Sequence, residues 1–119
     1  MIKDLVITWP KTKRLDDYLQ ACATARFHGQ DINYRISKPP SFDFGAHADR
    51  SGRVYIIYDG FVRGYHELKY VIYRDDHEVL SVDGKGYWRA GWYLVRDPEW
   101  HAIEPLPMRG FQGWRYFEG

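Results

Sequence analysis

Side chains that could bind a metal are scattered along the chain rather than grouped. No two of the five histidines have the spacing of metal ligands, and the single cysteine, Cys22, excludes a cysteine-pair site. Cys22 also falls on an apolar helical stripe, which favours a buried small side chain over a nucleophile. The group that comes closest to a metal-ligand cluster is His47 with Asp43 and Asp49, and we interpret it as part of a polar surface loop. We therefore expect neither a metal nor a cofactor.

Catalytic patterns are equally weak. No serine lies in a nucleophile elbow, and the glycines between residues 84 and 91 precede a strand rather than a phosphate-binding helix. Glu67 is a candidate acid or base beside His66, but adjacent strand residues point to opposite faces of a sheet. The residues therefore favour a non-enzymatic role.

Arginine and aromatic residues give a stronger signal for ligand binding. Aromatic residues make up 18% of the chain, and eleven of the seventeen basic residues are Arg. Flat rings stack on bases at roughly 1–3 kcal/mol per base, while Arg and Gln donate fork-like hydrogen bonds to base edges. Arg109, Gln112 and Trp114, in the tail, are candidates for such contacts or for a closing strand. Trp9 and Trp88 fit either a ligand cleft or hydrophobic packing.

The bulk properties restrict the class of protein. A formal net charge of +1 argues against a broad cationic surface for nucleic acid and leaves room for a local basic pocket. Charged residues interrupt the first twenty positions, so no stretch there has the length of a signal peptide or membrane span. The sequence predicts a single cytoplasmic domain over residues 1–119, without a membrane partner.

One helix and several strands must position these residues. Apolar positions between Leu15 and Cys22 recur at helical spacing, and Gly29 is a good helix stop. Strands are predicted before and after this helix and through the remaining chain. Their predicted ranges are 5–9, 31–36, 53–58, 61–73, 79–82, 91–96, 101–106 and a tail within 108–117.

The strongest local signal is Asp59-Gly60 between two β-rich runs, because a type I′ turn requires positive φ at both central positions. Gly64 lies inside the second run, where glycine typically marks a bulge or bend. Together these features predict an α+β fold, a small bent antiparallel β-barrel or half-barrel with one main N-terminal helix.

The segment after the helix resembles a known family. In the ASCH family of the PUA-like superfamily, a helix is followed by a motif close to Gly-Lys-Thr-(Ile/Val)-Glu-x-Arg. Gly29, Ile32 and Arg35 match this motif in register. The Asp-Gly hairpin and the Val-Arg-Gly that follows it are similar to the strand, turn and Val-x-Gly hairpin of the family.

The resemblance implies a PUA-like domain that holds RNA, a modified nucleobase or a nucleoside in a cleft beside the first helix. Arg35 would anchor a phosphate or base. The residues expected to bind ligand are Trp9, Lys11, Tyr34, Arg35, Trp88, Arg109, Gln112 and Trp114. Some ASCH proteins are hydrolases that use the motif Lys and Glu, but this chain has Gln30 and Asn33 there, which cannot ionise at neutral pH. The departure favours binding over catalysis.

Three functions follow from this reasoning. The leading hypothesis is a non-enzymatic domain that binds RNA, modified DNA or another nucleobase-containing ligand. The second is a small nucleic-acid or amide hydrolase of ASCH type that uses Glu67, His66 or Arg35. The third is a protein-interaction factor of a phage or mobile element that blocks a host enzyme, since aromatic and Arg residues dominate interface hot spots.

Overall fold

A computed structural model describes residues 4–40, 52–74, 77–80, 87–88 and 90–117, with side chains at 77–80 and 87–88 excepted. Most of the predicted loop before the central hairpin, with its His and Asp cluster, lies outside the described residues. The elements are β1 (Leu5–Thr8), α1 (Leu15–Phe27), β2 (Ile32–Ile36), β3 (Arg53–Tyr58), β4 (Phe61–Arg74), β5 (His77–Leu80), β6 (Tyr87–Trp88), β7 (Gly91–Arg96), β8 (His101–Pro107) and β9 (Trp114–Tyr116). No helix among the described residues is long and apolar enough to cross a membrane.

The main sheet has seven strands in the order β2-β7-β4-β3-β1-β9, with β8 also paired to β4. It curls into a half-barrel, which confirms the predicted α+β architecture with one helix. The prediction of a wholly antiparallel sheet is wrong in one pair, because β1 and β3 are parallel. A parallel partner requires a long crossover, and here the connection includes α1 and β2.

The bend of the sheet is concentrated at Gly64 in β4. The registers of β4 against β3 and against β8 both shift beside this residue. A Cβ there would lie 2.5 Å from the carbonyl oxygen of His101 and 2.5 Å from the ring of Trp100. The predicted bulge is therefore confirmed, and the absence of a side chain is what lets β8 approach β4.

The central hairpin and the end of α1 also follow their local sequences. Asp59 and Gly60 have φ of 49° and 82°, as a type I′ turn requires. At the helix end, Gly29 has φ of 67°. The Gln30 amide donates to the Ala25 carbonyl at 2.8 Å, and the Gly29 amide donates to the Arg26 carbonyl. These bonds form a Schellman motif, which turns the chain sharply out of α1 and into β2.

Alternate strand residues build one apolar core on each face of the sheet. The core on the inner face consists of Leu5, Ile7, Ile36, Val54, Ile56, Leu68 and Leu94. The core on the outer face contains Val6, Tyr55, Ile57 and Val62, and the tail packs on it through Met108, Phe111 and Phe117. The helix closes the inner face with its buried residues Tyr18, Cys22 and Ala25. The buried state of Cys22 confirms its predicted packing role.

Candidate functional site

A groove of about 430 Å³ lies where α1 ends against β4 and the start of β8. We call it the helix-end groove. It is lined by Arg26, Gly29, Gln30, Asp31, Glu67, Lys69, Asp97, Pro98, Glu99 and His101. The Schellman turn places Gln30 and Asp31 on one wall, and the strand pair β4–β8 forms the other.

Ion pairs neutralise both permanent cations of the helix-end groove. Lys69 Nζ lies 2.7 Å from Asp31 Oδ1 and 3.9 Å from Asp97 Oδ2. The hydrogen bond to Asp31 raises the pKa of Lys69 above its usual value. Arg26 Nη2 lies 3.1 Å from Glu99 Oε1. The groove therefore has four carboxylates and two committed cations, which makes it electronegative.

Glu67 is the groove carboxylate without an ion pair among the described residues. It lies on β4, and strand alternation separates it from its neighbour His66, which is fully buried in the interior. Glu67 can therefore accept hydrogen bonds from a ligand without first breaking a salt bridge.

Four aromatic rings form a ladder across the outer face and end at the helix-end groove. Phe117 stacks on Tyr55 with centroids 4.0 Å apart, Tyr55 packs on Tyr65 at 5.3 Å, and Tyr65 stacks on His101 at 4.7 Å with an interplanar angle of 8°. His101 lies on β8, which pairs only with β4 among the described strands. Its side chain remains 31% exposed. The ladder thus ends in a partly exposed ring that lines the groove.

A buried hydrogen-bond network supports the wall of the groove from inside. His66 Nδ1 lies 3.0 Å from the Asp97 carbonyl and 2.9 Å from the Glu99 carbonyl. Because carbonyls only accept, Nδ1 carries the proton, and Nε2 accepts from the Tyr18 hydroxyl at 3.0 Å. That hydroxyl in turn accepts from Arg96 Nη1 at 2.9 Å. The network ties α1 and β7 to the backbone on which Asp97 and Glu99 stand.

The interior holds these groups in their unreactive states. Burial, with the charge of Arg96, lowers the pKa of His66 to about 3. Burial raises the pKa of Tyr18 and that of Cys22, whose Sγ lies 3.9 Å from His66 Nε2. A neutral imidazole, a phenol and a thiol hold the structure together and offer no exposed acid or base.

Arg35, expected from the sequence to anchor a ligand, is occupied by the chain itself. Its Nε and Nη2 donate to the Ala90 carbonyl at 3.1 and 3.0 Å. Gly91 follows with φ of 149°, and a Cβ there would lie 2.8 Å from Arg35 Nε. The guanidinium thus fixes the start of β7, and Tyr34 beside it packs on the inner core.

The predicted tryptophans also have structural contacts. Trp9 packs on Tyr18 with centroids 4.6 Å apart, and its buried Nε1 has no hydrogen-bond partner among the described residues. Trp114 Nε1 donates to the Lys38 carbonyl at 2.9 Å. Trp88 lies in β6, and its side chain is outside the described part.

Lys11, Arg109 and Gln112, the remaining predicted ligand residues, are exposed. None of the seven predicted residues with described side chains lines the helix-end groove, and the ligand roles of all eight remain predictions. The sequence named Glu67 as a candidate acid or base of the hydrolase hypothesis, treated Gln30 as a departure from the motif, and missed His101 and the ion pairs of Lys69 and Arg26. The helix stop at Gly29, followed by a polar segment, was the available signal.

No protein-family model matches the chain, and no curated protein or solved structure matches it significantly. No group of three or more metal-binding side chains occurs within the described residues. The basis for a function is therefore the groove itself: the Glu67 carboxylate, which has no ion pair within the described part of the chain, the neighbouring Gln30 amide and the partly exposed His101 ring.

Proposed function

We propose that this protein is a non-catalytic binding domain that holds a nucleobase-containing ligand in the helix-end groove. The observation that carries the proposal is that the same groove is lined by Glu67, a carboxylate with no ion pair among the residues described, and by His101, the terminal ring of the aromatic ladder. The groove volume of about 430 Å³ lies within the usual range of small-molecule sites.

Hydrogen bonding in the groove favours a base with an amino group. The carboxylate of Glu67 only accepts, and amino groups of cytosine, adenine and guanine donate to such oxygens. The Gln30 amide both donates and accepts, so it can read a ring nitrogen or a carbonyl beside that amino group. The two side chains together favour an amino-bearing base over uracil or thymine.

Stacking complements these polar contacts. The imidazole of His101 already stacks on Tyr65, and it lines the groove with part of its surface exposed. A planar ligand ring would stack on His101 and extend the aromatic ladder by one ring. Stacking of this kind tolerates any base, because every base has a flat aromatic face.

The charge of the groove restricts what else the ligand carries. Four carboxylates repel phosphate, while Lys69 and Arg26 are already paired. We therefore favour a nucleoside, or a single base displaced from a strand whose phosphates stay outside. Binding to such a ligand depends less on salt concentration than backbone recognition does.

A nucleoside titration tests the proposal. Amide spectra recorded by NMR should shift at residues around Gln30, Glu67 and His101 with adenosine, cytidine or guanosine, and much less with uridine. Glu67→Gln should weaken binding by roughly tenfold or more, because a charged hydrogen bond is lost. Glu104→Gln, an exposed carboxylate on β8 outside the groove, is the matched control. Equal binding of uridine, or shifts remote from the groove, would count against the proposal.

A hydrolase is a second candidate, favoured because Glu67 and His101 line one groove. His101 pairs in register with Tyr65, and Glu67 lies two residues further on the same face of β4. Hydrolysis of RNA and of acylated nucleosides by the protein, with loss in both Glu67→Gln and His101→Asn, would support it. Binding without turnover would leave the binding domain as the function.

A further inference from the structure

Arg96, at the end of β7, places a permanent cation inside the fold. Among the described residues, Arg96 and His66 are the buried polar ones, and Arg96 is only 1% exposed. Burial and the charge of Arg96 lower the pKa of His66 to about 3, so that imidazole is neutral at ordinary pH. An arginine side chain stays protonated in proteins. The described interior therefore carries a single positive charge, on Arg96.

This charge has no counter-ion within the described part of the chain. None of the ion pairs there includes Arg96. In the register of the sheet, Arg96 lies between Ile32 of β2 and Leu68 of β4, which are both buried and apolar. A buried charge without an opposite charge is strongly unfavourable. An anion bound beside Arg96 would remove that cost.

One edge of the guanidinium is available for such an anion. Arg96 Nη1 donates to the Tyr18 hydroxyl at 2.9 Å. Nε is buried and has no hydrogen-bond partner among the described residues, and Nη2 donates to none of them. Nε and Nη2 form one planar edge of the guanidinium, and such an edge matches the two oxygens of a carboxylate.

Trp9 supplies a second unsatisfied donor beside the same tyrosine. Its ring packs on the Tyr18 ring with centroids 4.6 Å apart, and its buried Nε1 also has no partner among the described residues. An indole N–H donates and cannot accept. Buried polar groups in proteins are nearly always hydrogen-bonded, so two such donors in contact with one side chain point to an acceptor between them.

The aromatic rings around Arg96 do not seal it. Its Cζ lies 6.0 Å from the centroid of the Tyr34 ring. Elsewhere in the protein, the guanidinium of Arg53 packs on Tyr65 at 4.4 Å. The Tyr34 ring therefore stands further from the charge than a direct contact requires. Tyr34 and Trp9 are both partly exposed, so the surroundings of Arg96 reach solvent through these two rings.

We propose that Arg96 binds the carboxylate of a small monocarboxylic acid on the inner face of the half-barrel, with Trp9 Nε1 as a further donor. One carboxylate neutralises one guanidinium, whereas a phosphate dianion would leave excess negative charge in apolar surroundings. The rings of Tyr34 and Trp9 suit a flat apolar body such as that of benzoate. Arg96, Trp9 and Tyr34 do not line the helix-end groove, so this site is independent of the proposed function.

A benzoate titration followed by NMR tests the site. The indole N–H signal of Trp9, identified by its loss in Trp9→Phe, should shift and saturate with benzoate at constant pH and ionic strength. Benzyl alcohol, which has the same ring without the charge, should leave the signal in place. Arg96→Met should weaken benzoate binding by about 100-fold or more, because two charged hydrogen bonds are lost. Arg109→Met, at an exposed position, is the matched control and should bind benzoate normally.

Urea unfolding separates loss of the site from loss of the fold. Benzoate should raise the free energy of unfolding of the unmodified protein and leave that of Arg96→Met unchanged, since a ligand stabilises the state that binds it. Arg96→Lys keeps the charge and loses the planar fork, so it should bind benzoate about tenfold more weakly. This variant tests the site even where Arg96→Met fails to fold.

Other anions and a groove variant complete the test. Inorganic phosphate and chloride, at the same ionic strength, should bind at least tenfold more weakly than benzoate. Glu67→Gln should bind benzoate normally, which distinguishes this site from the helix-end groove. A Trp9 signal that does not saturate with benzoate, equal binding of phosphate or chloride, undiminished binding by Arg96→Met, or lost binding in Glu67→Gln would overturn the proposal.

Discussion

Acidification should unfold this protein through His66. The imidazole is fully buried, and burial with the nearby Arg96 charge lowers its pKa to about 3. In the unfolded chain the same group titrates near its ordinary value of about 6.5. Between these two values the unfolded state binds a proton that the folded state excludes, so stability falls as the pH decreases.

The size of the effect follows from the two pKa values. Above about pH 6.5 both states are neutral at His66 and the contribution vanishes. At about pH 4.5 the loss is roughly 3 kcal/mol, and below the folded pKa it approaches roughly 5 kcal/mol. Such a loss is a large fraction of the stability of an ordinary small domain.

His66→Gln isolates this contribution from other acid effects. Its amide can donate toward the Asp97 and Glu99 carbonyls or accept from Tyr18, but it does not titrate. Urea unfolding of both proteins across this pH range gives the two stability curves. The unmodified protein should lose roughly 3 kcal/mol more than His66→Gln between neutral pH and about pH 4.5.

Parallel stability curves for the two proteins would refute the reasoning, because the excess loss is the signature of a buried neutral histidine. NMR provides a second check on the folded state. The His66 ring signals should not titrate above about pH 4, because the pKa of this buried imidazole is lowered to about 3. Titration of His66 near neutral pH would equally contradict the assignment.

Two further substitutions test the fold and the role of Arg35. Gly64→Ala should lower the free energy of unfolding, measured in urea, by about 3 kcal/mol, because the added Cβ overlaps the backbone of β8. The control Gly60→Ala, whose Cβ meets nothing within 4 Å, should lower it by about 1 kcal/mol because of its positive φ alone. Equal losses would show that β8 can move aside. Arg35→Ala should lower the free energy of unfolding by about 1 kcal/mol, because the hydrogen bonds to the Ala90 carbonyl are lost, and should leave nucleoside affinity unchanged. Arg109→Ala, at an exposed position, is the control and should leave stability unchanged. A nucleoside affinity reduced by Arg35→Ala would instead support its predicted anchoring role.

The sequence determines the features that depend on neighbouring residues. The Asp59-Gly60 turn, the stop at Gly29 and the strand on either side of Gly64 are all local, and each was predicted from residue type. Positive φ and the lack of a Cβ are properties of single residues. They therefore act in the same way whatever surrounds them.

Pairings between distant segments could not be predicted in this way. The parallel alignment of β1 with β3 depends on the path of α1 across the sheet, which no single residue signals. For the same reason the sequence could not predict the hydrogen bonds from His66 to the Asp97 and Glu99 carbonyls, since they join positions about thirty residues apart. Arg35 shows the limit most clearly, because its residue type fits an external anion and does not reveal that its guanidinium donates to the Ala90 carbonyl. Its ligand role stays a prediction.

The position of β1 between β3 and β9 has a consequence for synthesis. Tyr116 pairs with Leu5, and the Phe117 amide donates to the Asp4 carbonyl at 2.9 Å. Strand β1 therefore cannot complete its pairing until β9 has been synthesised. While the chain emerges from the ribosome, β1 presents an unpaired edge that can recruit another nascent chain. The Trp114 bond to the Lys38 carbonyl, which links the β9 side of the sheet to the segment after β2, also forms only at this stage. Translation speed and chaperone access before β9 has been synthesised should therefore control the yield of folded protein.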